Sequence, residues 1–258
     1  MQNPPPSAAA PTASSESLVM RMLNMLAVPG EVFAGVLRQK PKVANWLAPV
    51  LLASMVSVAS VWVMFSQPAL VQQVREAREA ALQKQVQAGK LTEKQAEMAA
   101  QTAERFLTPQ LLKLFGSVGA LVGSFSYLLV VASYLWFVGT RVFRTHLTFA
   151  RSLEICGLSL VTGVVGALVQ LLLVLWSGNL QASPGPALLI PDFDIHNKVH
   201  LACGALNVFT LWQIALLGLG LSRATGRQWG VAVLWLVTPW ALLKAGIIVS
   251  GLGSGNMG

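Results

Sequence analysis

Long apolar runs separated by short polar segments dominate the chain. Five runs reach the length of about 20 residues that a helix needs to cross a bilayer, and they cover about residues 46–65, 114–138, 155–176, 201–221 and 229–252. None alternates apolar and polar positions as a membrane barrel would, and a helix satisfies its own backbone hydrogen bonds in lipid. The pattern therefore predicts an all-α polytopic membrane protein, a bundle of five transmembrane helices.

Composition agrees with this prediction, and the distribution of charge indicates how the protein is oriented in the membrane. Apolar residues make up 54% of the 258 residues and charged residues only 11%, whereas a soluble domain carries roughly 25% charged residues. The net charge is +8, and nine bases fall on one side of the spans, within residues 21–42, 141–151 and 223–227. Short basic loops face the cytoplasm, so we expect the N-terminus inside and the C-terminus outside. The basic charge then reflects topology, and no nucleic-acid partner is expected.

The segments that flank the spans differ in character. Residues 1–16 are rich in Pro, Ala and Ser and lack the apolar stretch of a signal peptide, so we expect a disordered tail. Residues 17–45 place apolar positions at helical spacing and predict an amphipathic lead-in along the cytoplasmic membrane surface. We expect residues 253–258 to form a short outer tail.

An insertion at residues 66–108 separates the first two spans and predicts an extracytoplasmic helical hairpin. Strong helix formers precede Gly89, and Thr92 with Gln95 fits a capping box at the start of a second helix. Acids and bases are nearly balanced along it, which is typical of a solvated helical surface. The alternative is that hairpin 69–106 docks a membrane or extracytoplasmic protein partner.

One polar segment before the fourth span has residues that can bind metal. On a helix, His196 and His200 would lie on one face, and Asp192 or Asp194 could approach them as zinc ligands. The more ordinary interpretation is a polar approach to the span, so no metal site is expected.

Few polar residues lie inside the spans. Asn207, Thr210 and Gln213 follow one another along the fourth span, and Lys244 is the only ionisable residue within a span. They suit either hydrogen bonds between helices or a narrow polar path. Nothing resembles a nucleotide loop, a nucleophile with its base or a carboxylate pair in the membrane. We therefore expect no enzyme, no catalytic residue and no cofactor.

Small residues predict where spans approach each other. Gly119 and Gly123 form a GxxxG pattern in the second span, and Gly163 with Gly166 lies in the third. Such residues allow close helix contact in lipid, although the pattern is also common by chance.

Several motifs together resemble the bacterial branch of the Yip1 domain family. They are PGEVF at 29–33 with a proline at 41 before the first span, NVFTLW at 207–212, GLG at 218–220 and a small polar loop at 222–227. The likeness covers about residues 29–252, and the hairpin looks like an insertion found in some bacterial relatives. The resemblance implies a multi-pass protein of the bacterial cytoplasmic membrane.

The resemblance also bears on function. Eukaryotic Yip1-type proteins are linked to Rab GTPases and vesicle traffic, through partner contacts and membrane shaping without a catalytic site. Their Asp-Leu-x-Gly-Pro signature is not recognised in this chain, so the GTPase role does not transfer directly. The hypothesis is a non-enzymatic integral membrane protein that acts through protein or lipid interaction in the bilayer. The alternative is a small transporter or channel component that uses the polar residues of span 4. Oligomeric state and ligand stay unassigned.

Overall fold

The computed structural model describes residues 17–106, 108–190, 193 and 197–250. Within these ranges the chain forms α-helices joined by turns and loops. In chain order the helices are α1 (Leu18–Ala27), α2 (Pro29–Arg38), α3 (Ala44–Met64), α4 (Pro68–Gln87), α5 (Glu93–Phe106), α6 (Pro109–Phe137), α7 (Phe149–Ser177), α8 (Lys198–Ala205), α9 (Val208–Thr225) and α10 (Trp229–Ser250). A π-helical turn, Val138–Val142, extends α6, and a 3-10 turn, Pro186–Leu189, lies before α8.

Five of these helices are long and apolar enough to cross a membrane: α3, α6 with its π-helical turn, α7, α9 and α10. The predicted class, an all-α protein with five membrane-spanning helices, is confirmed. The second span begins earlier than predicted, at Pro109, because Thr108 caps the helix and proline is well tolerated in its first turn.

The fourth span begins later than predicted. The apolar run suggests a helix over 201–221, but the chain breaks after α8 and the spanning helix is Val208–Thr225. Asn207 adopts an extended backbone, and its side chain accepts hydrogen bonds from the amides of Phe209 and Thr210. This is the geometry of an N-cap. A local polar contact thus starts a new helix inside a stretch that hydropathy describes as continuous.

The bundle is organised around α7, which packs against α3, α6 and α9, while α10 lies against α9. Glycines permit the closest approaches: a Cβ at Gly157 would overlap the backbone of α3, and one at Gly166 would overlap a side chain of α9. In contrast, Gly119 and Gly123 face open space. The GxxxG pattern of the second span therefore makes no helix contact within the described chain.

The lead-in helices are part of the folded domain. Helix α1 packs on α7, and α2 packs on α9. Met25 and Phe33 are completely buried, and Val32 and Val36 are nearly so. Only the outward side of this lead-in is left to meet a membrane surface.

The chain between the first two spans forms α4 and α5, which contact each other. Gly89, with a positive φ of 68°, lies in the turn that joins them. The amide of Thr92 donates to the side chain of Gln95, and the amide of Gln95 donates to the Thr92 hydroxyl, as the capping box predicts. The base of α4 is fixed to the bundle where the Gln73 side chain donates to the Gly178 carbonyl at 2.5 Å.

Candidate functional site on the basic side

One end of the bundle carries α1, α2, the segment from α2 to α3, the connection from α6 into the start of α7, and the turn between α9 and α10. We call this end the basic side. Its nine Lys and Arg residues divide into two groups, because Arg21 is buried and Arg151 is largely buried. The other seven are exposed: Arg38, Lys40, Lys42, Arg141, Arg144, Arg223 and Arg227.

A buried carboxylate lies at the centre of the basic side. Glu154, in the second turn of α7, is only 1% exposed. Its Oε1 accepts hydrogen bonds from the Lys42 amide at 2.8 Å and from Asn45 Nδ2 at 2.6 Å. Its Oε2 accepts from Arg151 Nη1 at 2.6 Å, forming an ion pair. Every donor that a buried carboxylate requires is therefore supplied by the start of α3, the segment before it and the start of α7.

The same network reaches α1. Arg21, 5% exposed, donates from Nη1 to Asn45 Oδ1 at 2.6 Å. Asn45 thus bridges a cation on α1 and the carboxylate of Glu154 on α7. We call Arg21, Asn45, Arg151 and Glu154 the buried polar cluster.

Arg151 connects this cluster to α2. Its Nη1 also donates to the carbonyl of Val36 at 2.9 Å, and its Nη2 donates to the carbonyls of Leu37 and Gln39. The last carbonyls of a helix have no partner within the helix and carry a partial negative charge. The guanidinium therefore caps the C-terminal end of α2 and holds α2 against α7.

The outward side of α1 is apolar. Val19 is 67% exposed, Met20 51% and Leu23 56%, although all three are large hydrophobic side chains. Their opposite side carries Arg21 and Met25, which are buried against the bundle. Helix α1 is thus held to the domain by a polar contact while it presents an apolar surface outward.

Among the residues expected to form a polar path, the described structure shows one hydrogen bond, from the Thr210 amide to the Asn207 side chain, and it belongs to the cap of α9. Asn207 caps α9 and donates to the Ser183 hydroxyl at 3.2 Å. Thr210 follows in the first turn of α9, and Lys244 lies in α10. Gln213, on α9, points its amide toward Gly163 of α7, and its buried Nε2 has no hydrogen-bond partner among the residues that the structure describes.

The expected metal candidates lie mostly outside the described residues. Asp192, Asp194 and His196 fall there, so their placement is not described. His200 lies in α8, with its ring 5.8 Å from that of Phe193. Within the described part of the chain, no three His, Cys, Asp or Glu side chains come together as a metal site requires.

The fold and the basic side define a five-span helical membrane protein whose amphipathic lead-in is bound to its basic end. The chain matches the Yip1 domain over residues 23–250. It belongs to the Yip1 domain family, as the resemblance predicted. No curated protein and no solved structure gives a match to this chain.

Proposed function

We propose that this Yip1 domain protein works without catalysis, through contact of its basic side with the lipid of its own membrane. The observation that carries the proposal is the orientation of α1. Its apolar surface points outward, and exposed bases surround the same end of the bundle. An apolar helix face beside basic side chains is the arrangement of an interfacial helix on an anionic leaflet.

The charge on this side supports the same function. Seven bases are exposed, and Arg21 and Arg151 are already engaged in the buried polar cluster. A base near an anionic membrane surface contributes about 1 kcal/mol of attraction. The exposed set is therefore able to bias which lipids surround this end of the protein.

The test measures lipid composition around the full chain. Protein extracted into polymer nanodiscs with its native lipid should be enriched in anionic phospholipid over the bulk membrane. The variant Arg38→Gln/Lys40→Gln/Lys42→Gln should lose most of this enrichment, because it removes about 3 kcal/mol of attraction. A matched control, Arg75→Gln/Arg78→Gln/Lys90→Gln, removes three bases from α4 and the turn after it, and should retain the enrichment.

Two results would contradict the proposal. The first is that the lipid extracted around the wild-type protein has the same composition as the bulk membrane. The second is equal loss of enrichment in both triple variants, since the basic side would then have no special part.

A second candidate function is transport, and it rests on Gln213. A buried amide nitrogen without a partner is uncommon, and this one lies between two spanning helices. If it lines a path for a small polar solute, Gln213→Leu should abolish flux into reconstituted vesicles. Thr225→Val, which removes a polar group from the same helix outside the candidate path, is the matched control and should leave flux unchanged. Asn207 is a poor choice for such a test, because its replacement removes the cap of α9.

A further inference from the structure

A cleft of about 380 Å³ lies on the basic side, where α9 ends and α10 begins. Its lining consists of Leu219, Ser222, Arg223, Gly226, Arg227 and Trp229. Two arginines and no acid contribute to it, so the cleft has a positive potential at the edge of the membrane domain.

The arginines keep most of their donors available. Arg227 donates once, to the Phe143 carbonyl at 3.3 Å, and its guanidinium lies 5.9 Å over the Phe143 ring. Arg223 lies beside Gly30 of α2 and makes no hydrogen bond or ion pair with any residue that the structure describes. A guanidinium has five donors in a planar fork that matches the oxygens of a phosphate. The pair therefore suits a phosphate group better than a neutral ligand.

The apolar surroundings indicate how that phosphate is carried. Leu219 and Trp229 form apolar walls of the cleft. The indole nitrogen of Trp229 donates to the Ala215 carbonyl at 3.2 Å, which holds this wall against α9. A tryptophan at the end of a span marks the membrane interface. A phosphate attached to acyl chains would contact both the arginines and these apolar walls, whereas free phosphate would use only the arginines.

We propose that this cleft binds the phosphate of an anionic phospholipid from the adjoining leaflet, with its acyl chains against the apolar walls formed by Leu219 and Trp229. A net negative headgroup is favoured because two arginines line the cleft without an acid. The proposal rests on the proposed lipid function and gives it one defined site. It differs from the general attraction of exposed bases, because it requires Arg223 in particular.

Native mass spectrometry of the full chain in detergent provides the test. Phosphatidylglycerol should form a first adduct at lower concentration than phosphatidylcholine. Arg223→Gln should weaken that adduct about tenfold, as expected for loss of a charge-assisted phosphate contact. Arg141→Gln removes the same charge from the same side, outside the cleft, and should leave the first adduct in place. Arg223 is preferred to Arg227 because Arg227 also contacts Phe143.

The outcomes separate the site from the broader function. If Arg223→Gln and Arg141→Gln weaken the first lipid adduct equally, the cleft is not a specific binding site, while general attraction of lipid to the exposed bases stays intact. Equal adducts with both lipids would overturn the preference for an anionic headgroup. Displacement of the lipid by an equal concentration of inorganic phosphate would assign the cleft to free phosphate instead. If wild-type nanodiscs show no enrichment of anionic lipid over the bulk membrane, but the first adduct is lost in Arg223→Gln, the cleft is retained and the broader function is contradicted.

Discussion

Replacing Glu154 by glutamine changes one oxygen of a buried carboxylate into an NH₂ group and removes its charge. The two oxygens of Glu154 now face donors only, from the Lys42 amide, Asn45 Nδ2 and Arg151 Nη1. If the Gln oxygen replaces Oε1, its NH₂ group faces the Arg151 guanidinium. If the amide is reversed, the NH₂ group faces the other two donors. Either orientation places donor against donor in a buried site.

The magnitude follows from what each partner loses. Removing one member of a buried ion pair costs about 3–5 kcal/mol, because the other charge is left uncompensated. Arg151 retains its contacts with the carbonyls at the end of α2, so we expect a value near the lower limit, about 3 kcal/mol. For a chain of this size this corresponds to a fall of roughly 6–12 °C in Tm.

The assay is thermal unfolding of the full chain in detergent, followed by helical circular dichroism and by the monodisperse fraction that remains after heating. Glu31→Gln is the matched control, because Glu31 is an exposed acid on α2 with no ion pair in the described structure. Its Tm should stay within about 2 °C of wild type. If the Tm of Glu154→Gln equals that of the Glu31→Gln control, the buried polar cluster does not hold the lead-in helices to the bundle.

Three further predictions concern packing, attachment and topology. Gly157→Ala should lower stability by about 1–3 kcal/mol, since its Cβ would overlap the backbone of α3, whereas Gly119→Ala faces open space and should be close to neutral; equal melting temperatures would contradict this packing. Arg21→Met should speed amide hydrogen exchange in α1 while leaving α7 unchanged, and unchanged exchange in α1 would show that the Asn45 contact does not hold that helix. A reporter active only outside the cytoplasm should work when fused after Gly258. Activity of the same reporter fused after Gln228 would contradict the predicted topology and indicate the opposite orientation.

The spans could be predicted because their signal is local and averaged over many residues. A run of about 20 apolar residues identifies a spanning helix whatever its neighbours are. The start of the fourth span could not be predicted in this way, because one side chain decides it. The Asn207 side chain accepts hydrogen bonds from two backbone amides of the next turn. It also donates a hydrogen bond to Ser183, 24 residues earlier in the chain. Hydropathy contains no information about such a contact.

The buried polar cluster was missed for a related reason. The charge pattern of the sequence identifies Arg21 and Arg151 only as bases that orient the protein, and it assigns no role to Asn45 or Glu154. Only the spacing of Arg151 and Glu154 is local, three residues along one helix. The other two contacts of Glu154, with Asn45 and with the Lys42 amide, join residues 109 and 112 positions apart. A lone acid at the start of an otherwise apolar span, three residues after an arginine, is the signal that could have identified it.

The polar character of this cluster needs a reason beyond stability, since apolar side chains of similar size often hold helices together equally well. The composition of α1 supplies that reason. Apart from Asn24, Arg21 is its only polar side chain, so an apolar residue there would make the helix hydrophobic almost all round. Such a helix has little preference for which face meets the bundle. Because Arg21 reaches Asn45 from only one side of α1, the contact selects the inward face. We infer that the exposure of Val19, Met20 and Leu23 is a consequence of that selection, and that the cluster determines which surface of α1 faces outward.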